Sequence, residues 1–355
     1  MKIGNLDISG RAILAPMAEV TDAPFRQMCK EYGAGLTYTQ MISAKGIIEN
    51  SFQSLQSLAF SRSEKPIAVQ LLANDPEYVR KAVLELRQLK PDMIDLNCGC
   101  SVQQVCKHGL GASLLDNPIL LGKLVKTMVN AAGDIPISIK IRLGKDKQNI
   151  TVLRNTKIIE ENGASAVIVH ARTRAQAYDE PSDWSWIKKV KDQLKIPVIG
   201  NGSIFEPEDG VRMIKETNCD SVFISRGALG NPFIFRRLNA LLNGQAGADV
   251  PGLDEVGNAA IKHLKLIAKD SGEFNGTIKA RKHLIWYFRF YNGIGNFIDK
   301  IFAIDNSAKV ELFILDHIEK IKNGFYPEED LQKIKKSFNE RVLFWINDNK
   351  PDVTE

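Results

Sequence analysis

The first two-thirds of the chain alternate short apolar runs with amphipathic stretches, and that alternation restricts the fold more than any other feature. The runs lie at 11–15, 36–39, 67–71, 93–97, 137–142, 166–171, 197–201 and 221–225. Several are apolar nearly throughout, as strands covered on both faces must be. Between them the spacing turns helical. Val79, Ala82, Val83, Leu86 and Leu89 share one face over 78–89, and Leu121, Leu124, Val125 and Met128 share one over 119–131. Eight strands with intervening helices predict an α/β chain closed into a (β/α)8 TIM barrel, since open sheets more often hold roughly five to seven strands. The run at 36–39 carries the weakest strand pattern of the eight.

The β pattern stops at a stretch rich in Gly and Ala over 243–252 that contains Pro251. This predicts a barrel domain over 1–242, a linker over 243–252 and an all-α helical bundle over 253–348. Helices are expected at 254–270, 277–291, 308–322 and 328–346, with a polar, frayed tail after Asn349. A length of 355 residues suits a barrel plus an appendage. No apolar run reaches the roughly 20 residues of a membrane span, and 1–15 lacks the separate basic and apolar regions of a signal peptide. A cytoplasmic protein is therefore expected, with free thiols because five cysteines are an odd number in a large chain, and a monomer because the barrel and bundle account for the apolar stretches. A net charge of +5 and a pI near 8.8 permit a nucleic-acid partner without requiring one.

In such a barrel, function collects where strands end. Here the ends carry Ala15-Pro16-Met17-Ala18, Gln70, Asn97-Cys98-Gly99-Cys100, Lys140-Ile141-Arg142, His170-Ala171-Arg172, Asn201-Gly202-Ser203 and Ser225-Arg226-Gly227. The last two are small-residue loops before helices, which suit a phosphate dianion, with Arg226 as a pairing cation. The alternative is that Gly202 and Gly227 only make turns. Lys140 lies inside an apolar strand and needs an anionic partner, either a reduced flavin ring or a carboxylate from another strand. Cys100 sits in a glycine-containing loop that can close over a ligand, where a thiol serves as acid or nucleophile. Cys-x-Cys with Cys106 is the wrong spacing for zinc and has no second cluster, so no metal is expected. Cys29 and Cys219 read as buried hydrophobes.

These residues resemble the tRNA-dihydrouridine synthases along essentially the whole chain. The resemblance is carried by Ala15-Pro16-Met17-Ala18 with Thr21-Asp22-Ala23-Pro24-Phe25-Arg26, and by 66–71. It continues in Asn97-Cys98-Gly99-Cys100, Gly111-Ala112-Ser113-Leu114-Leu115, His170-Ala171-Arg172-Thr173-Arg174, 227–235, and Arg281-Lys282-His283 before Trp286-Tyr287. It implies FMN across the barrel mouth against Pro16, Met17 and Ala18. Gln70, Lys140 and His170 would contact the ring, and Asn201, Gly202, Ser203, Ser225 and Arg226 would hold the ribityl phosphate. NADPH would reduce the flavin, although no dinucleotide fingerprint is present. Hydride would pass from flavin N5 to C6 of a uridine in tRNA, and Cys100 would protonate C5. Asn97 would orient the base, Arg172 would contact the RNA or the target nucleotide, and Arg174 would bind the substrate. An unperturbed cysteine, with a pKa near ~8.5, is still protonated at neutral pH. The target base must also be flipped out of its stack.

The helical part suits an RNA partner. Between Ile261 and Phe290 stand Lys262, Lys265, Lys269, Lys279, Arg281, Lys282 and Arg289 against Asp270 and Glu273. Basic and acidic residues balance at 16 each over 251–355, so this is a local patch. His283, Trp286 and Tyr287 lie within it and are candidates to stack on bases, with Trp286 favoured as bundle core. Several positions depart from the family pattern: Glu19 for Gly, Gln40 for Glu, Ser101 for Pro, Ser225 for Gly, and the run from Tyr178 to Trp184. A reductase of free pyrimidines and a non-catalytic tRNA-binding protein are the alternatives.

Overall fold

The computed structural model describes residues 1–245 and 249–328. A hairpin of β1 (Lys2–Ile3) and β2 (Leu6–Asp7) precedes eight parallel strands. These are β3 (Ala12–Leu14), β4 (Thr37–Ser43), β5 (Ile67–Leu72), β6 (Met93–Cys98), β7 (Ile137–Arg142), β8 (Ala166–His170), β9 (Val198–Asn201) and β10 (Ser221–Ile224). Each pairs with its neighbours in chain order, and β3 pairs with β10. A parallel bridge from Ile13 to Leu36, just before β4, closes the ring. The α/β barrel expected from the sequence is therefore present, and β4 is its irregular member. Its register against β5 shifts between Tyr38 and Met41, so the period of two is broken where the sequence pattern was weakest.

Alternation along the strands fills the barrel. Ile13, Ala15, Tyr38, Ala68, Ile168, Ile199 and Phe223 form one buried cluster, with the Tyr38 and Phe223 rings edge-on at 4.8 Å. Ile3 and Ile8 belong to the same cluster. Gly4 approaches Pro136 and Ser165, which stand just before β7 and β8, so the hairpin closes the end opposite the strand C-termini. The sequence pattern had not predicted it. The surrounding helices start where caps dictate. Asp75 accepts from the amides of Glu77 and Tyr78 ahead of Pro76–Leu89, and Asn117 accepts from Leu120 ahead of Pro118–Ala132. Both have proline in the first turn.

The chain divides into two compact units. One comprises Met1–Gln176, Pro181–Ala228 and Pro232–Val250; the other comprises Ala177–Glu180, Leu229–Asn231 and the chain from Pro251. The second unit holds helices Leu253–Ser271, Glu273–Phe288, Ile294–Ile301 and Ser307–Lys322. Ile294–Ile301 was not expected, and the second helix begins and ends earlier than its apolar spacing predicts. Gly276 has no room for a Cβ, which would lie 2.5 Å from the Cα of Ala268, so the first two helices pack backbone against backbone. The expected helix at 328–346, the tail and part of the expected linker lie outside the described residues. Among the described residues no helix is long and apolar enough to cross a membrane.

Candidate active site at the barrel mouth

Side chains two residues apart on one strand face the same way, and the parallel ladder sets which of them become neighbours across strands. Asp95 is paired with Gln70 and with Ser138, and Asn97 with Lys140. Gln70 donates from Nε2 to Asp95 Oδ2 at 2.7 Å and accepts at Oε1 from Asn97 Nδ2 at 2.8 Å. Asn97 Oδ1 then accepts from the amides of Gly99 (3.0 Å) and Cys100 (2.8 Å). Ser138 Oγ donates to Asp95 Oδ1 at 2.6 Å. Arg142 ties the same loop from β7, donating to the carbonyl of Gly99 at 2.9 Å and to that of Thr173 at 2.6 Å. Cys100 is half-buried at the head of this loop, and burial raises its pKa above the ordinary thiol value. The thiol is accordingly protonated at neutral pH.

Burial pushes Asp95 up to about 7 against its hydrogen bonds from Ser138 and Gln70. Burial also draws Lys140 down to about 8, helped by Arg142 and opposed by Asp95. A tight ion pair would move both groups the other way. No ion pair joins them, and the Lys140 ammonium makes no hydrogen bond among the described residues. It is a cation without a committed anion.

The other side of the mouth is a ring of cations. His170 is held well below the ordinary imidazole value, first by burial and then by Arg142, Lys140, Arg172 and Arg226. It is neutral at pH 7. Arg172 Nη1 lies 3.2 Å from His170 Nε2, and its Nη2 donates to Ser203 Oγ at 2.9 Å. Asn201 Nδ2 donates to the carbonyl of Phe223 at 2.7 Å. Gly202 has φ +122, and a Cβ there would lie 2.5 Å from Ser182 Oγ. A Cβ on Gly227 would lie 2.5 Å from the carbonyl oxygen of Ile204. The amides of Gly202, Ser203 and Gly227 donate to no acceptor among the described residues. Beside them the Arg226 guanidinium lies over the Phe205 ring at 4.8 Å. Pro16 and Met17 are half-buried and Ala18 exposed at the end of β3, with the Met17 amide and carbonyl both bonded to Thr21 Oγ1.

The structure thus brings together Gln70, Asn97, Cys100, Lys140, His170, Asn201, Gly202, Ser203, Ser225 and Arg226. Arg172 stands differently from a surface RNA contact: it is 2% exposed and braces His170 against Ser203. Arg174 is paired with Asp116 at 3.0 Å. In the helical unit Trp286 is core, as expected, whereas the expected contacts of His283 and Tyr287 require correction. All three are buried, with the His283 ring edge-on to His263 at 4.6 Å and to Trp286 at 5.0 Å. They are core, because the helix bearing them turns that face toward Leu253–Ser271. Arg289 is buried too, donating to the carbonyls of Leu229 and Trp286. Arg281 is half-buried, with a 2.8 Å bond to the Ile304 carbonyl. Lys262, Lys265, Lys269 and Lys279 are exposed, and Lys282 is half-buried.

Asp95 was not singled out from the sequence, and Arg142 was named at its strand end without a role. The signal was available for Asp95, which lies two residues before Asn97 on the same strand.

Comparison with known proteins fits this geometry. The family model described as dihydrouridine synthase matches residues 13–322. The tRNA-dihydrouridine synthase B of Pasteurella multocida is 35% identical over 289 residues, covering 81% of this chain and 87% of that one. A probable tRNA-dihydrouridine synthase of Mycobacterium tuberculosis is 37% identical over 298 residues, covering 81% and 77%. Among solved structures, histamine dehydrogenase from Rhizobium sp. 4-9 superposes with a TM-score of 0.54 at 13% identity, over 75% of this chain and 50% of that one. Morphinone reductase in complex with tetrahydroNAD gives 0.50 at 12% identity, over 72% and 92%. At those identities the two structures speak for the fold alone.

Proposed function

The chain belongs to the dihydrouridine synthase family, and on that premise we propose that it reduces the C5–C6 double bond of a uridine in tRNA, with FMN as bound cofactor and NADPH as electron donor. The observation that carries the reading is the set of groups left uncommitted at the mouth: the Lys140 ammonium and the amides of Gly202, Ser203 and Gly227. They fit FMN. A phosphate takes the amides and Arg226, in a cradle where side chains at 202 and 227 would intrude. Lys140, Gln70 and His170 would hold an electron-rich ring, and Pro16, Met17 and Ala18 would line its site. Asn201, Ser203 and Ser225 complete the ribityl phosphate end. When bound, the flavin supplies hydride to C6 of the base.

The chain's own residues do the rest. Cys100 holds a proton on Sγ and delivers it to C5, a task that its raised pKa suits. Asn97 fixes the backbone on which Cys100 stands. Neutral His170 keeps a hydrogen-bonding ring at the mouth without adding a charge. Arg172 and Arg174 frame the entry for the flipped nucleotide. The barrel over 1–242 is the catalytic domain, and the helical part over 253–348 binds tRNA. Exposed Lys262, Lys269 and Lys279, together with Arg281 and Lys282, contact phosphates. His283 has no part in that surface.

The test is a visible spectrum of the purified protein, followed without oxygen by NADPH and then by tRNA lacking dihydrouridine. Flavin bands that bleach with NADPH and return with tRNA are expected. Bands that bleach and return only with free pyrimidines would move the substrate to small molecules. A protein that cannot be loaded with FMN would overturn the cofactor.

A further inference from the structure

Asp95 takes no part in the chemistry above, yet it is fully buried at the foot of the chain of hydrogen bonds that ends at Cys100. We propose that Asp95 is a positioning residue whose carboxyl, acting as a hydrogen-bond acceptor, sets the orientation of Gln70 and Asn97 and thereby the backbone that presents Cys100. The inference rests on Cys100 being the proton donor of the reading above.

Each primary amide has two faces, a donor and an acceptor, and can be turned over. Gln70 Nε2 meets Asp95 Oδ2 at 2.7 Å, which leaves Oε1 for Asn97 Nδ2 at 2.8 Å. Asn97 must then present Oδ1 to the amides of Gly99 and Cys100. Turning Gln70 over would set Oε1 against the carboxyl oxygen and Nε2 against Nδ2. Turning Asn97 over as well would aim its NH2 at two backbone N–H groups. Every alternative leaves buried donors or acceptors unpaired, so a single acceptor at the bottom decides the direction of the whole relay.

The relay does not need the charge. A carboxyl pushed up to about 7 is partly protonated near neutrality. The neutral form can donate from Oδ1 to Ser138 Oγ, which then turns its own hydrogen toward Tyr38 Oη at 3.5 Å. Oδ2 goes on accepting from Gln70. An asparagine at 95 can do the same, with Oδ1 toward Gln70 and Nδ2 toward Ser138. A leucine cannot. The competing role, a counter-charge for Lys140, makes the opposite demand, because asparagine would then fail as badly as leucine.

The experiment compares Asp95→Asn, Asp95→Leu and the parent protein by alkylation with iodoacetamide, read at each cysteine by mass spectrometry. The expected result is a Cys100 rate within about twofold of the parent for Asp95→Asn. For Asp95→Leu it is about tenfold faster, the scale of one lost buried hydrogen bond. Buried Cys29 and Cys219 should be unchanged, since only general loosening would expose them. In parallel, the tRNA-dependent reoxidation rate should fall for Asp95→Leu with the tRNA Kd unchanged. Unaltered Cys100 alkylation in a folded Asp95→Leu overturns the proposal. So does an Asp95→Asn protein as perturbed as Asp95→Leu. Should Asp95→Leu fail to fold, Gln70→Met breaks the relay one link later and carries the same expectation, and an unchanged Cys100 there is equally fatal. Alkylation that follows the expectation in a protein unable to reduce tRNA would remove the role given to Cys100 and leave the relay standing.

Discussion

The barrel mouth and the helical unit both bury histidines, and they bury them in different company. His170 stands among Lys140, Arg142, Arg172 and Arg226, with an arginine nitrogen 3.2 Å from its ring. His263 and His283 stand edge-on to each other and to Tyr287 and Trp286. Both environments depress the imidazole pKa, and burial is the largest cause in both. In the mouth, however, the Lys140 ammonium and unpaired backbone amides converge on one space, which is costly unless a ligand repays it. In the helical unit the rings pack edge-on against one another as hydrophobes with polar tips. A buried titratable residue therefore speaks of function through its neighbours rather than through its own shift.

The largest expected effect tests the mouth. Cys100→Ala should slow reduction of the base by about 10²–10⁴-fold. Reduction of the flavin by NADPH and the tRNA Kd should be nearly unchanged, which stopped-flow spectra and a filter-binding titration would separate. In the parent protein the same step should slow as pH rises through the raised pKa of the thiol, because the proton to be delivered is then lost. Next in size, Arg226→Ala should weaken FMN by about 10–100-fold, as loss of a charge-assisted hydrogen bond does, read by titrating the apoprotein. An unchanged FMN affinity would leave Arg226 as mere packing on Phe205 and narrow the contrast with the helical unit.

The helical unit should show its histidines through acid. The folded pKa of His263, about 3, lies below an unfolded value near ~6.5, so the folded state binds fewer protons. Its contribution is complete above ~6.5 and is lost as pH falls from there toward the folded value, amounting to about 2 kcal/mol by pH 5. Denaturant melts between pH 7 and pH 5 should weaken accordingly, and His263→Phe should flatten that dependence. A pH-independent melt would refute the packed, neutral histidine.

The smallest effect is local. Glu19 has φ +61, where a side chain costs about 1–2 kcal/mol, and its amide donates to Gln40 Oε1 at 2.7 Å. These are two of the departures from the family pattern, and the structure joins them. Glu19→Gly should stabilise the protein by about 1 kcal/mol in a urea melt. No gain would mean that the Glu19 side chain makes contacts worth the strain.

The alternation of apolar runs and amphipathic stretches was enough, by itself, to determine the barrel, and strand ends were enough to collect Gln70, Asn97, Cys100, Lys140, His170, Asn201 and Arg226. Parallel strands place all their C-terminal ends together, so a position along one strand is already a position in the site. The role of Asp95 could not be read that way. Its partners Gln70 and Ser138 lie on two other strands, and only the register of the closed ring sets them side by side. The bulge in β4 and the bond from Arg172 to Ser203 likewise depend on neighbours remote in the chain. In the helical unit a basic stretch with aromatic residues read as one surface. Tertiary packing divided it, turning His283, Tyr287 and Arg289 inward beside Trp286 and leaving Lys262, Lys269 and Lys279 outside, because the buried face of a helix is chosen by the helices packed against it.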